Sequence, residues 1–146
     1  MSEIPALLDL RSTWYHRWYF ELRLEEEFLR SKRYRRSFSI ISIRLPSSSM
    51  LSDHDRAKFD RLLIRTALFS LRPTDLPGIL APDELAVLLP ETSRAGAASV
   101  ASRLGEELGD YAPVIGLAAF PGDGRHLRGL LAHAQSREGG VFPQWR

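Results

Sequence analysis

The residues able to do chemistry in this sequence are mainly arginines and acids, and few are spaced like a catalytic site. Arg30, Lys32, Arg33, Arg35 and Arg36 crowd into one short run. Such a run can touch phosphates, but it equally suits the carboxyl end of a helix, where cations complement the dipole. Arg72 and Asp75 stand three apart in Arg72-Pro73-Thr74-Asp75. On local grounds Arg72 can stabilise a helix end and Asp75 can serve a turn that Pro73 favours. Asp83 and Glu84 fall at a polar tip between two apolar stretches. His16, His54, His126 and His133 are scattered, and no His/Asp/Glu spacing suggests a metal site. No Walker loop and no nucleophile elbow is present. Cysteine is absent, which excludes disulfides and thiolate metal sites.

The elements that must position these residues follow from periodicity. Residues 10–33 mix Leu22, Leu24, Phe28 and Leu29 with Glu21, Glu25, Glu26, Glu27 and Arg30, the spacing of an amphipathic helix. An aromatic group, Trp14, Tyr15, Trp18, Tyr19 and Phe20, opens it and reads as core or interface. Residues 38–45 are β-branched, short and stopped by Pro46, and predict a strand. A loop over 46–52 leads to a helix capped by Ser52 or Asp53 and running to about Leu71, with Leu62, Leu63, Ile64, Ala67, Leu68 and Leu71 on its apolar face. Residues 77–80 and 85–89 form a hairpin around Ala81-Pro82-Asp83-Glu84, ended by Pro90. A small-residue helix runs from Thr92 to near Gly109, a strand covers 114–120, a turn 121–124 and a short helix 127–135. Val141 and Phe142 suggest a last small strand.

With 146 residues, 44% hydrophobic and 26% charged, the chain suits one globular domain with a substantial core. One sheet covered by helices is the economical packing of this element order, so the expectation is a single α/β domain over 1–146. No apolar run approaches the roughly 18 residues of a membrane span. The opening lacks a signal peptide pattern, and a cytoplasmic location is expected. The formal charge of +2 does not by itself demand a polyanionic partner; a nucleic-acid role would rest on residues 30–36 alone and is not expected.

The hairpin carries a resemblance. Arg72-Pro73-Thr74-Asp75, then 76–80, Ala81-Pro82-Asp83-Glu84-Leu85, a second apolar stretch and Leu89-Pro90-Glu91-Thr92 resemble the heart of a GGDEF (diguanylate cyclase-like) domain. That family reads R-x-x-D, a strand, the GGDEF turn, a second strand and often L-P-E-T. Residues 9–20, with Asp9, Arg17 and Phe20, are similar to its opening D-x-L-T-G-L-x-N-R-x-x-F. Residues 30–45 resemble the end of its first helix and its first strand, and residues 114–122 its S-I-G-v-A-x-f-P stretch. Coverage is roughly residues 9–142. Each motif is weak alone; their order and spacing are fairly specific. The resemblance implies the palm-like α/β fold of nucleotide cyclases, a central, mostly antiparallel sheet flanked by helices.

It also implies that catalysis is lost. The family joins two GTP molecules into cyclic di-GMP, with divalent ions neutralising phosphates and activating the attacking hydroxyl. An acid at the end of its first strand and the third residue of GGDEF hold those ions. By resemblance Arg44 takes the first position, Pro46 that of the next acid, and Asp83 with Glu84 keeps the acidic half of the turn. An arginine cannot ligate Mg²⁺ and repels it. Ala81 and Pro82 replace the glycines that let backbone approach phosphate. The guanine-binding stretch N-D-x-x-G-H-x-x-G-D has no counterpart in residues 46–60, a segment about four residues shorter than usual. No catalytic residue, metal or cofactor is therefore expected. Arg44 and Asp83 should lie close; either they pair, or Arg44 points into solvent.

Many family members carry an inhibitory site where R-x-x-D and an arginine on the next helix bind an intercalated cyclic di-GMP dimer. The resemblance assigns Arg72, Asp75 and Arg103 to it. An arginine fork suits phosphate or a guanine edge, and a carboxylate accepts from guanine N–H groups. The expectation is a noncatalytic, signalling GGDEF-like domain that is a receptor for cyclic di-GMP. The alternative is an interaction module that binds no nucleotide and meets a protein partner through the aromatics at Trp14, Trp18 and Tyr19 or through the former active site. Because the family's inhibitory sites often bridge two domains, a homodimer is among the expected assemblies. The terminal helix of the family, A-x-x-A-L-x-x-A-K-x-x-G, is shortened in residues 130–140.

Overall fold

The computed structural model describes residues 6–46 and 52–136. The strand expected at Val141 and Phe142, and most of the loop after Pro46, lie outside them. A five-stranded sheet has the order β1-β3-β4-β2-β5. Its strands are β1 (Tyr15–His16), β2 (Phe38–Arg44), β3 (Leu76–Ala81), β4 (Glu84–Pro90) and β5 (Val114–Phe120). Only β1 pairs in parallel, with β3; the other ladders are antiparallel. The helices are α1 (Arg17–Tyr34), α2 (Asp53–Ser70), α3 (Arg94–Glu107) and α4 (Leu127–Gln135).

β2 lies inside the sheet between β4 and β5, and a core packs on each of its faces, so its sequence is apolar or small almost throughout. Side chains alternate along it. Ile41 and Ile43 join Phe59, Leu63, Ala101 and Leu104 in a core against α2 and α3. Phe38 and Ile40 join Phe20, Leu24, Leu130 and Ala134 in a second core against α1 and α4. Ser42 and Arg44 continue that second face toward the strand's end. Two glycines set how closely helices approach. A Cβ on Gly78 would lie 2.5 Å from the Phe20 ring, and one on Gly116 would lie 2.1 Å from the Ala134 carbonyl oxygen.

Ser52 caps α2, its hydroxyl accepting from the Asp55 N–H, and Ser93 caps α3 by accepting from the Gly96 N–H. The first helix starts later than periodicity suggests, at Arg17 instead of near Leu10. The Asp9 carboxylate accepts from the Ser12 hydroxyl at 2.7 Å, its carbonyl accepts from the Thr13 N–H at 2.7 Å, and Thr13 takes φ 63°. That local turn competes with helix, and Tyr15 and His16 then extend along β3. Trp14 is wholly buried, donating its indole N–H to the Leu63 carbonyl at 2.9 Å, so it belongs to the core and not to an exposed aromatic surface. Leu68, placed by its spacing on the apolar face of α2, is instead 69% exposed, and its neighbour Phe69 is 80% exposed.

Candidate functional site

Arg72 and Asp75 span the connection between α2 and β3. The Asp75 N–H donates to the Arg72 carbonyl at 3.0 Å, a turn that Pro73 pre-sets. The Asp75 carboxylate returns the contact, accepting from the Arg72 backbone N–H at 2.8 Å, from Nη2 at 2.9 Å and from Nε at 3.2 Å. Nη2 also donates to the Pro90 carbonyl at 3.0 Å and to the Thr92 hydroxyl at 2.6 Å. Only 1% of the Asp75 side chain is exposed, against 53% of Arg72. The Nε and Nη2 edge of the guanidinium is thus held, and among the described residues Nη1 makes no hydrogen bond. The hydrogen bond to Asp75 raises the Arg72 pKa beyond its ordinary value, so the group is a fixed cation.

Arg72 and Asp75 help line a groove of ≈ 510 Å³ whose opposite wall is α1, with Arg23, Glu27 and Arg30. These three recur at i, i+4 and i+7, a polar stripe on one face of the helix that was readable in the sequence. Thr92, which orients the Arg72 fork, carried no such signal. Arg30 pairs with Glu27 at 3.0 Å, and Arg23 donates to the Tyr19 hydroxyl at 3.0 Å. Arg103, exposed on α3, donates to the carbonyl of Ser70, the last residue of α2, at 3.0 Å. It is tied to the segment that leads into Arg72 but is not among the residues that line the groove.

The other expected residues gather at the far end of β2. Arg44 is exposed and stands directly opposite Glu84 of β4 on one side and Val114 of β5 on the other. The Leu45 N–H donates to the Asp83 carbonyl at 2.8 Å, so the two backbones touch. Among the described residues, however, no ion pair joins Arg44 to Asp83; of the two arrangements expected, the structure shows the unpaired one. The hollow beside Arg44, walled by Ser42, Glu84, Gly116 and the end of α4, measures ≈ 50 Å³. Pro82 and Asp83 form the two-residue turn between β3 and β4. Proline fixes φ near −65°, which excludes the primed turns whose twist matches a hairpin. The register shifts between Ile79 and Ala81, a bulge that takes up the mismatch. Pro46 is exposed just past the end of β2. Among the described residues no three His, Cys, Asp or Glu side chains converge as a metal site would require.

No family model matches the sequence, and no curated protein does. Solved structures do match. The GGDEF domain of YfiN (TpbB) from Pseudomonas aeruginosa is 26% identical, with 85% of this chain and 87% of that one covered at a TM-score of 0.68. The FimX GGDEF domain from Pseudomonas aeruginosa is 16% identical over 94% and 98% of the two chains, at 0.76. The GGDEF domain of DgcB from Caulobacter crescentus, solved in complex with c-di-GMP, is 13% identical over 92% and 86%, at 0.70. The fold of this protein is that of a GGDEF domain, the palm-like α/β fold of nucleotide cyclases. Among the described residues no helix is long and apolar enough to cross a membrane.

Proposed function

We propose that this protein is a catalytically silent GGDEF-fold domain that serves as a cyclic di-GMP receptor through Arg72, Asp75 and Arg103. The observation that carries the reading is the state of Arg72. A buried carboxylate, a hydroxyl and a carbonyl fix its planar group, and Arg72 lines a groove of ≈ 510 Å³. A pre-oriented guanidinium binds phosphate or a guanine edge with little further loss of side-chain freedom. That a GGDEF domain of the same fold has been solved with c-di-GMP bound supports the ligand's identity. Arg23 and Arg30 stand across the groove, each paired with a glutamate of α1, Glu26 at 3.4 Å and Glu27 at 3.0 Å, and a phosphate would compete for them. Two copies bridged by the ligand are the assembly this reading favours.

Catalytic silence rests on the other end of β2. Mg²⁺ binds through oxygen ligands, and Arg44 presents a cation at the strand end where cyclases of this family present an acid. The ≈ 50 Å³ hollow there compares with the 300 Å³ or more of ordinary small-molecule sites. Titration calorimetry with cyclic di-GMP should give saturable heat with the native protein and binding weakened by about thirtyfold or more in Arg72→Ala; no heat with the native protein would overturn the receptor reading. Incubation with GTP and Mg²⁺ should yield no cyclic dinucleotide, and its appearance would overturn the silence.

A second reading has its own observation. Leu68 and Phe69 are exposed at the end of α2, beside Arg72, and an interaction module without nucleotide would present such a surface to a protein partner. Partner capture lost in Phe69→Ser and indifferent to Arg72→Ala would favour it. Trp18, 40% exposed, is less available, because its indole N–H donates to the Ala6 carbonyl at 3.0 Å.

A further inference from the structure

The basic run at the end of α1 plays no part in the Arg72 groove beyond Arg30, and three of its four remaining cations converge elsewhere. Lys32, Arg35 and Arg36 meet Arg125, from the connection between β5 and α4, around a hollow of ≈ 450 Å³ floored by Phe120 and Pro121. Among the described residues no carboxylate lines it. The nearby acids are already engaged: Glu91 with Arg36, and Asp123 with Arg94 and His133. Among the described residues neither Arg35 nor Arg125 has an ion-pair partner. Among the described residues Lys32 has no ion-pair partner either, and its ammonium lies over the Phe28 ring at 5.8 Å.

We propose that this hollow is an anion site for a compact polyphosphate, such as the triphosphate tail of a nucleotide, separate from the Arg72 groove. A solvated helix end does not account for the arrangement. The carboxyl pole of α1 carries roughly half a negative charge, and with Arg36 paired to Glu91 the three remaining cations, Lys32, Arg35 and Arg125, still exceed it. Arg125 arrives from a distant part of the chain and serves no cap on α1. Like charges held over an apolar floor repel one another more strongly than in open water, and a polyvalent anion converts that repulsion into binding. Arg35 occupies the helix C-cap at φ 55° and ψ 45°, a left-handed conformation in which glycine is the easier residue. The ring of Phe120 is buried against Phe38 and Phe28, so the hollow offers no exposed stacking platform of the kind that holds single-stranded nucleic acid. Its chemistry is that of phosphate groups.

The conformation of Arg35 supplies a clean test. Arg35→Gly removes the cation at a position glycine adopts without strain, so the fold is retained. Inorganic tripolyphosphate, and separately GTP, would be titrated into the full chain at low salt by calorimetry. Saturable binding is expected, weakened by added salt. It should fall at least about fivefold in Arg35→Gly and vanish in Arg35→Gly/Arg125→Ala, with the melting temperature of Arg35→Gly not lowered. Arg72→Ala should leave it unchanged, and GTP binding beyond tripolyphosphate would mean that the nucleoside contributes. Absence of saturable tripolyphosphate binding, or binding that survives the double variant, would overturn the proposal. So would tighter, Arg35-dependent binding of a single-stranded oligonucleotide.

Discussion

Two arginine–aspartate pairs in this protein look alike in sequence and differ in kind. Arg72 and Asp75 are three residues apart; Arg56 and Asp60 are four apart, one turn of α2. Both aspartates are buried, with 1% and 8% of their side chains exposed. Asp75 accepts from two side-chain nitrogens and a backbone N–H. Asp60 has Arg56 Nε at 3.6 Å, too far for a hydrogen bond. Among the described residues that Nε and the Asp60 Oδ1 have no hydrogen-bond partner, although both are buried. Burial therefore raises the Asp60 pKa, with Arg56 opposing the shift only in part. The lesson is that proximity of opposite charge does not offset desolvation; aligned donors do. A turn that points its own N–H at the carboxylate supplies those donors at Asp75, and the continuous helix around Asp60 has none to spare.

The largest effect should come from breaking the satisfied pair. Arg72→Ala leaves the Asp75 carboxylate buried with only its backbone donor. Chemical denaturation should show a loss of about 2 kcal/mol, below the full cost of a broken buried pair because the guanidinium is half exposed. On the receptor reading the same change lowers cyclic di-GMP affinity by about thirtyfold or more, equivalent to about 2 kcal/mol. Arg72→Lys separates the two consequences: it keeps the charge near Asp75 and loses the planar fork, so stability should recover more than binding. Equal recovery of both would show that the fork is not what the ligand reads.

Much of the scaffold around these pairs was legible in the sequence, for reasons the structure makes plain. β2, β4 and β5 are short, rich in aliphatic residues and bounded by Pro46, Pro90 and Pro121, and their spans match expectation within a residue or two. The cap at Ser52 was one of the two residues the sequence offered, whereas the helix expected from Thr92 is capped by Ser93 and starts at Arg94. The beginning of α1 was not. Its aromatics satisfy a helical pattern, but the Asp9 turn and the ladder to β3 are non-local or side-chain events that periodicity does not register. Likewise the i, i+3 spacing suggested that Arg72 and Asp75 were neighbours, whereas nothing local announced Thr92 or the Pro90 carbonyl, which reach Arg72 across the sheet edge. Asp60 sat unremarked within α2, because a helix interior gives no sign of which of its polar residues will be turned inward.

The unsatisfied pair should respond in the opposite direction and less strongly. Asp60→Asn removes a buried charge that lacks aligned donors, so stability at neutral pH should rise by about 1 kcal/mol. The pH dependence has a definite sign. With the folded pKa above the unfolded one, the folded state holds more protons between the two values, and stability falls as pH rises through that window. The contribution of Asp60 is therefore most favourable below the ordinary carboxylate range and is lost as pH climbs through the raised value. Denaturation midpoints measured from pH 4 to 7 should fall less steeply for Asp60→Asn than for the native protein. If instead Asp60→Asn is destabilising at pH 7, Arg56 is doing for Asp60 what Arg72 does for Asp75, and the contrast collapses.

Arg44 offers the smallest effect and the sharpest control. It too has an acid directly across the ladder, Glu84, yet among the described residues the two form no ion pair, and Arg44 lies exposed at the strand end. A facing pair of opposite charge on a sheet contributes between about 0.2 and 1 kcal/mol, and without close contact the lower part of that range applies. Arg44→Ala should thus shift stability by less than about 0.5 kcal/mol and leave cyclic di-GMP affinity within about twofold of native. Arg44 and Arg72 carry the same group, but only one is held by buried partners and aimed at a groove. A loss of dinucleotide binding in Arg44→Ala as large as in Arg72→Ala would place the ligand at the far end of β2, away from the Arg72 groove.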